Sequence, residues 1–585
     1  MYLENINSPA DVRKLSVGEL TSLCAEMREA LIQKLSVHGG HVGPNLGMVE
    51  ATVAMHYVMN SPVDKFVFDV SHQSYAHKML TGRKEAFTNP DCYDEVSGYT
   101  EPSESVHDHF VIGHTSTSVS LASGLAKARD LRGERFNGVA VIGDGSLSGG
   151  EAFEGLDVAA ELGSNMIVVV NDNQMSIAEN HGGLYHNLQL LRETNGEASC
   201  NFFKAMGFDY LYVADGNDVE AMIEAFSRVR DIDHPIVLHI NTLKGKGYRF
   251  AECQKERFHW SMPFDIPTGE LKKPAGDKGY DTLTAEHLLS LMKADRTVVG
   301  ITAGTPAVFG FTKDRRERAG KQFIDMGIAE EQVAMASALA KGGAKPVFGV
   351  YSTFIQRAYD QLSQDLCINN NPATILVFWG SLGAMNDVTH LCLFDIPLIS
   401  NIPNMVYLAP TCREEYLAML DWSIQQTEHP VAIRAPAAGV AGSRSGDFPT
   451  DYEPEMNRFE MAHCGSGVAI IGVGNFFALA VTVAEQLKQS GIDATVVNPR
   501  FLTGLDTERL EGLRDSHSLV VTLEDGVLDG GYGEKIARYY GESEMRVMCR
   551  GVRKEFIDRY NVGEEYAANR LTPDQITADI LEILN

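Results

Sequence analysis

Short runs of β-branched and other apolar residues recur along the chain, each followed by a longer stretch with helical spacing. V-A-V-I (Val139 to Ile142), M-I-V-V-V (Met166 to Val170) and P-I-V-L-H-I (Pro235 to Ile240) are three of them. Further on come Thr374 to Phe378, Val468 to Ile471 and Leu519 to Thr522. Strands that are apolar throughout, rather than alternating, are those covered on both faces, so the pattern predicts parallel sheets flanked by helices. Two stretches interrupt it. Ile266 to Gly279 is rich in Gly, Pro and Lys, and Pro436 to Pro454 is rich in Gly, Pro and Ser; both read as linkers. They divide the chain into three consecutive doubly wound α/β domains with mostly parallel sheets, 1–265, 280–436 and 455–585.

Composition narrows the function classes. The 585 residues are 44% apolar and 22% charged, as in ordinary globular proteins. Fifty basic residues against 78 acidic ones give a net charge of −28, which argues against a nucleic acid partner and fits a cytoplasmic setting. The nine cysteines are scattered with no C-x-x-C, so neither structural zinc nor a disulfide framework is expected. The opening M-Y-L-E-N-I-N-S-P-A lacks the basic and apolar regions of a secretory signal. No apolar run approaches the ~20 residues of a membrane helix, and no membrane partner is expected.

The most informative stretch is V-I-G-D-G-S-L-S-G-G, Val141 to Gly150, which leads into a helical run from Glu151 to Leu162. A strand, a tight glycine loop and a helix present backbone N–H groups to an anion such as a diphosphate. Asp144 adds a hard oxygen at the strand end, the donor that Mg²⁺ or Ca²⁺ prefers. A second oxygen ligand is expected from the following strand, and V-V-V-N-D-N-Q-M-S supplies Asn173, 29 residues on. A crossover helix fits in that interval. I-G-V-G-N-F keeps only two glycines of the dinucleotide fingerprint, with Phe477 in the third place, and reads as an ordinary strand-to-helix turn. A nicotinamide oxidoreductase therefore has little support.

G-D-G followed at this spacing by N-D-N is the motif of thiamine-diphosphate enzymes. With G-G-H (Gly39 to His41), D-V-S-H-Q-S-Y (Asp69 to Tyr75), I-G-H-T-S-T-S (Ile112 to Ser118), K-G-K-G-Y (Lys244 to Tyr248), Phe258-His259, I-A-E (Ile328 to Glu330), Y-S-T-F-I-Q-R-A-Y-D-Q (Tyr351 to Gln361) and Thr389-His390, the chain resembles the 1-deoxy-D-xylulose-5-phosphate synthase family of the transketolase superfamily over nearly its whole length. The resemblance implies a transketolase-like homodimer that uses thiamine diphosphate and Mg²⁺. It implies decarboxylation of pyruvate and transfer of the two-carbon unit to an aldehyde such as glyceraldehyde 3-phosphate. Matching motifs assign Asp144, Asn173 and the Met175 carbonyl to Mg²⁺. They assign His72, Gly113, His114, Thr115, Gly145, Ser146, Asn173 and Tyr248 to the cofactor.

Glu330 is the candidate carboxyl for the aminopyrimidine ring, since an acid buried after the apolar I-A would keep its proton. Phe354 is the candidate to stack on that ring, although by sequence alone it reads almost equally as a core aromatic. His41, His72, His259 and His390 match histidines near the reacting carbons, where they would bind a carboxylate or move protons. Tyr351, Arg357 and His390 are candidate substrate contacts. The departures from the family lie elsewhere. Trp379 and Ala437 stand where the family has arginines that grip the acceptor phosphate, and Asn386 stands for an Asp. Ser71, Asn217 and Gln332 replace a Gly and two His, and the segment between Ser176 and Phe208 is shorter. These changes cluster on the acceptor side and weaken the synthase reaction without excluding it, since Arg357 and Tyr351 remain to hold an anion; a transketolase-like carboligase with a different, unphosphorylated acceptor is the alternative.

Overall fold

The computed structural model describes residues 1–273, 279–437, 439–440, 448 and 456–585. Of the two linkers read from the sequence, residues 274–278 of the first lie outside the described residues, as do 438, 441–447 and 449–454 of the second. Residue 455, the start of the third sequence-based domain, is also outside them. Among the described residues no helix is long and apolar enough to cross a membrane. All nine cysteines are free thiols.

The chain forms two compact units, Met1–Gly276 with Gly327–Ala329, and Asp277–Met326 with Glu330–Asn585. The first contains one five-stranded sheet. Its strands are β1 (Lys65–Phe68), β2 (Gly138–Gly143), β3 (Met166–Asp172), β4 (Asp209–Val213) and β5 (Pro235–Asn241), in the order β1-β2-β3-β5-β4. Every pairing is parallel. The alternation of side chains along a strand splits the apolar runs between two layers. Val139, Val141, Ile167 and Val169 pack in one core, and Ala140, Ile142, Val168 and Val170 in the other. The sheet is thus buried on both faces, as its uninterrupted hydrophobicity requires.

The second unit holds two sheets. The strands β6 (Val298–Thr302), β7 (Phe323–Asp325), β8 (Lys345–Tyr351), β9 (Thr374–Phe378), β10 (Val406–Leu408) and β11 (Val431–Ala435) form an all-parallel sheet in the order β10-β11-β9-β8-β6-β7. The strands β12 (Glu460–His463), β13 (Gly467–Gly472), β14 (Thr495–Asn498), β15 (His517–Val527) and β16 (Arg546–Val552) form the other, in the order β12-β14-β13-β15-β16. There β12 runs antiparallel to β14 and the rest are parallel.

The sequence divides this region into two domains, and the structure joins both sheets in one compact unit for a physical reason. One apolar core takes in Phe378, Tyr407 and Tyr416 together with Val473, Val497 and Tyr532. A buried charged group crosses with it. Arg434 of β11 donates through Nε to Asp395 (2.6 Å) and through Nη2 to the carbonyl of Asp525 on β15 (2.6 Å). Asp525 in turn accepts from the Leu382 N–H (3.0 Å) and from Asn475 (2.8 Å).

One local boundary differs from the sequence reading. The glycine loop after β2 is a 3₁₀ turn, Asp144–Ser148, and the helix behind it spans Gly150–Glu161. Glu330 lies in a 3₁₀ turn, Glu330–Gln332, before the helix Val333–Lys341. Tight turns of this kind carry a side chain sideways from the helix axis.

The Arg434 group generates a prediction. Arg434→Met leaves the buried Asp395 carboxylate without its counter-charge, and unfolding free energy should fall by about 3–5 kcal/mol in urea denaturation. The double variant Arg434→Met/Asp395→Leu should recover most of that loss.

Candidate functional site

In the first unit the site grows from the end of β2 and β3. The parallel register sets Gly143 opposite Asn171, so Asp144 and Asn173 emerge at the carboxyl ends of neighbouring strands. Ligands of open parallel sheets collect at such ends because the faces are closed by helices. Asp144 is buried and accepts from Asn180 Nδ2 at 2.7 Å. Burial, and then the neighbouring Asp172 charge, push its carboxyl up to about 7. Asn173 is also buried, and its Oδ1 has no hydrogen-bond partner. Gln174 takes a left-handed φ of 65°, and Met175 pairs with Glu179 beyond that turn. A carboxylate, an unpaired amide oxygen and a nearby main-chain carbonyl form the hard-oxygen set that Mg²⁺ takes. An uncompensated buried acid and an orphaned acceptor are what a bound dication would satisfy.

The small residues have steric reasons. A Cβ on Gly145 would lie 2.8 Å from Ser176 Cβ, and one on Gly149 would lie 2.2 Å from Ser116 Oγ. The second contact locks two motifs together, since Ser116 Oγ also donates to the Ser146 carbonyl at 2.8 Å. Asp69 holds that arrangement. Its carboxylate accepts the N–H groups of Ser116 (2.8 Å) and Ser118 (3.0 Å), fixing the loop that carries Gly113, His114 and Thr115. Ser71, where the family has Gly, sits at φ 65°; its hydroxyl donates to the Ile112 carbonyl (2.7 Å) and accepts the Thr100 N–H (2.9 Å). Those bonds offset the strain of a side chain in the left-handed region.

Three of the four candidate histidines meet beside this loop. The ring centroids of His41 and His72 are 4.8 Å apart, those of His72 and His259 5.2 Å, and those of His41 and His259 5.7 Å. Lys244 links the cluster to the loop: its Nζ donates to the Ser176 carbonyl and lies 3.0 Å from His259 Nδ1. Burial pulls Lys244 down to about 7. Burial, then Lys244, His72 and His41, hold His259 well below the usual histidine range, so it is neutral. Tyr248 closes the same K-G-K-G-Y stretch as Lys244. Its ring packs against Phe258 and Phe264 in the core, and its hydroxyl donates to the Ile266 carbonyl at 3.0 Å.

Several residues here had no role in the sequence reading. The segment after Ser176 is shorter than in the family, yet it braces the loop: Asn180 holds Asp144, and Tyr185 donates to the Asp144 and Gly145 carbonyls (3.2 and 3.3 Å). Arg192, from the helix Leu184–Glu193, bonds Asp172. Burial pushes Asp172 up, but His239 and Arg192 outweigh it and keep the carboxyl ionised below its ordinary range. The middle acid of N-D-N is the one available signal for that group. Asn217, in place of a His, accepts the Leu243 N–H (2.7 Å) and donates to the Gly47 carbonyl (3.0 Å), fixing the turn before Lys244.

In the second unit the remaining candidates converge at the carboxyl edge of the β6–β11 sheet. Glu330 is buried; burial raises its carboxyl, opposed by Arg357, whose Nη1 is 3.6 Å from Oε2. Phe354 meets Tyr351 edge-on at 5.2 Å and His390 at 5.6 Å. His390 Nδ1 is 3.2 Å from Asp387. Burial pushes Asp387 up, but His390 and Thr389 hold it below the carboxylate range. Nothing in the structure explains the substitutions at Asn386 and Gln332.

Both halves are those of a thiamine-diphosphate, transketolase-type protein, and comparison with known proteins gives that class directly. The transketolase pyrimidine-binding domain matches residues 278–440, and the transketolase C-terminal domain matches 458–576. The 1-deoxy-D-xylulose-5-phosphate synthase model matches 3–199 and 194–242. The synthase of Pelotomaculum thermopropionicum is 38% identical over 99% of this chain and 96% of its own. That of Halothermothrix orenii is 38% identical over 93% and 91%. Among solved structures, transketolase from Leishmania mexicana is 16% identical, covers 97% of each chain and has a TM-score of 0.44. The chain belongs to the 1-deoxy-D-xylulose-5-phosphate synthase family.

Asp69→Asn replaces one of two buried acceptors by a donor. It should cost about 1–3 kcal/mol of stability. A loss of about 1.4 kcal/mol in loop order would weaken thiamine diphosphate about tenfold, measured by calorimetric titration.

Proposed function

We propose that this chain is a thiamine-diphosphate-dependent transferase. It decarboxylates pyruvate and joins the two-carbon unit to an aldehyde, giving 1-deoxy-D-xylulose 5-phosphate and CO₂ when the aldehyde is glyceraldehyde 3-phosphate. Family membership supports the reaction. The observation that carries the chemistry is the pair Asp144 and Asn173 on adjoining strand ends, with Asn173 Oδ1 buried and unpartnered.

Bound thiamine diphosphate supplies an acidic ring carbon that becomes a nucleophile and then an electron sink for the decarboxylated unit. The residues here support the rest. Asp144, Asn173 and the Met175 carbonyl would hold Mg²⁺. The N–H groups of the Asp144–Ser148 turn and of the loop Gly113 to Thr115 would face the diphosphate, with His72, Gly145 and Ser146 beside it. Burial raises the Glu330 carboxyl and so favours its protonated form, against Arg357, and Glu330 would present that proton to the aminopyrimidine ring, with Phe354 against the ring face. His41, His72, His259 and His390 are the candidates for proton transfer or carboxylate binding, with His259 held neutral by burial and by Lys244. Tyr351 and Arg357 are substrate-contact candidates. The proposed active form is a cytoplasmic homodimer, which sedimentation velocity would check.

The test is CO₂ release from pyruvate by purified protein with thiamine diphosphate and Mg²⁺, with the sugar product identified by mass. Turnover that disappears with chelator and in Asp144→Ala is expected. Bound cofactor with no CO₂ would overturn the reading. Glu330→Gln should lower kcat by about 10²–10⁴. In the wild type activity should decline as pH climbs through the raised Glu330 pKa, because the protonated form is the working one, and that alkaline limb should be missing in Glu330→Gln.

A further inference from the structure

The described loops at the carboxyl edge of the β6–β11 sheet are short of cations. They are 303–312 after β6, 326–332 after β7, 352–358 after β8, 379–390 after β9, 409–412 after β10 and, after β11, 436–437, the residues described before position 438. Together they contain no lysine and one arginine, Arg357, and its guanidinium faces Glu330. Arg434, within β11, is buried and held by Asp395 and the Asp525 carbonyl. The same edge carries the carboxylate of Asp387. A phosphate dianion is normally gripped by forked or point cations and repelled by acids.

The edge is aromatic instead. Tyr351 is the last residue of β8, and its ring meets Trp379 edge-on at 4.7 Å and Phe354 at 5.2 Å. Trp379, the first residue past β9, is half-buried at φ 65°, with its N–H donated to the Ala435 carbonyl at 2.6 Å. A bulky residue in the left-handed region is strained and persists only where its surroundings impose it; such outliers gather at ligand sites. Here the strain turns an indole toward the group that contains Phe354 and His390. Two residues past β11, Ala437 offers only a methyl.

We propose that Trp379 is the specificity-determining contact for the acceptor, and that this chain condenses the two-carbon unit with uncharged aldehydes bearing an apolar side chain in preference to phosphorylated ones. The inference rests on the pyruvate chemistry proposed above and names the class of its second substrate. In the step, the C1–C2 bond of pyruvate breaks and CO₂ leaves, with the electron pair remaining on C2. C2 bonds to the aldehyde carbon, the aldehyde oxygen takes up one proton, and the product is the hydroxyketone CH₃–CO–CH(OH)–R. No oxidant or reductant is required. An apolar R gains by leaving water against the indole, and a phosphate at the same place would find no lysine, and of arginines only Arg357, in the described loops of that edge.

The experiment is a comparison of kcat/KM for pentanal and for glyceraldehyde 3-phosphate, with pyruvate as donor and CO₂ and hydroxyketone both measured. The wild type should favour pentanal by tenfold or more; parity, or preference for the phosphorylated aldehyde, overturns the inference while the pyruvate reading stands. No CO₂ with either acceptor overturns that reading and the inference with it. Trp379→Ala should lower kcat/KM for pentanal at least tenfold, and Trp379→Phe should keep most of it. Trp379→Arg should shift the ratio at least tenfold toward glyceraldehyde 3-phosphate. Ratios unmoved in all three variants would sink the assignment of Trp379. The wild-type comparison decides the substrate class even where a variant fails to fold.

Discussion

Parallel strands closed by helices on both faces leave one place for polar chemistry, and that constraint governs this protein. The faces of β2 and β3 are filled by valine, isoleucine and alanine, so acids and amides can stand only where the strands stop. Register then does the positioning. Asp144 and Asn173 are neighbours because Gly143 is opposite Asn171. The same rule acts in the second unit, where Tyr351, Trp379 and Glu330 all follow strand ends. Both candidate half-sites are thus consequences of how a parallel sheet is covered.

Buried carboxylates hold those ends in shape, each by a different partner. Asp69 binds two main-chain N–H groups, Asp172 binds a histidine and an arginine, and Asp395 binds Arg434 and the Tyr407 hydroxyl. A buried acid with directed donors fixes a loop more tightly than apolar packing does, because its bonds have direction and their loss is expensive. Burial raises the carboxyls of Asp69, Asp144 and Glu330 alike; Asp69 has two main-chain donors, whereas Glu330 Oε2 has no hydrogen-bond partner. Groups left in that condition are the ones that a cation, a proton or a ligand completes.

The departures from the family pattern divide in two. Ser71 and Asn217 are repaired locally: a hydroxyl or an amide takes up the loop hydrogen bonds around it. The shortened segment after Ser176 is likewise rebuilt into a brace through Asn180, Tyr185 and Arg192. Trp379 and Ala437 are not repaired. No other lysine or arginine leaves the described part of that sheet edge to take the place of a lost cation except Arg357, which faces Glu330.

The sequence by itself determined the strands, their burial on both faces and the motif positions, because apolar runs and glycine spacing are local properties of the chain. Asp144, Asn173 and Glu330 were readable for the same reason, each sitting at a fixed distance from such a run. Only the tertiary structure decided the rest. It joined 280–436 and 455–585 in one unit through Arg434 and Asp525, which lie 91 positions apart. It packed the Tyr248 ring against Phe258 and Phe264 and brought Lys244 beside His259. It chose Asp69 as the clamp and turned Trp379 to the left-handed side. These outcomes depend on partners far away in the chain and on which groups burial leaves without water, and no local pattern of residues records either.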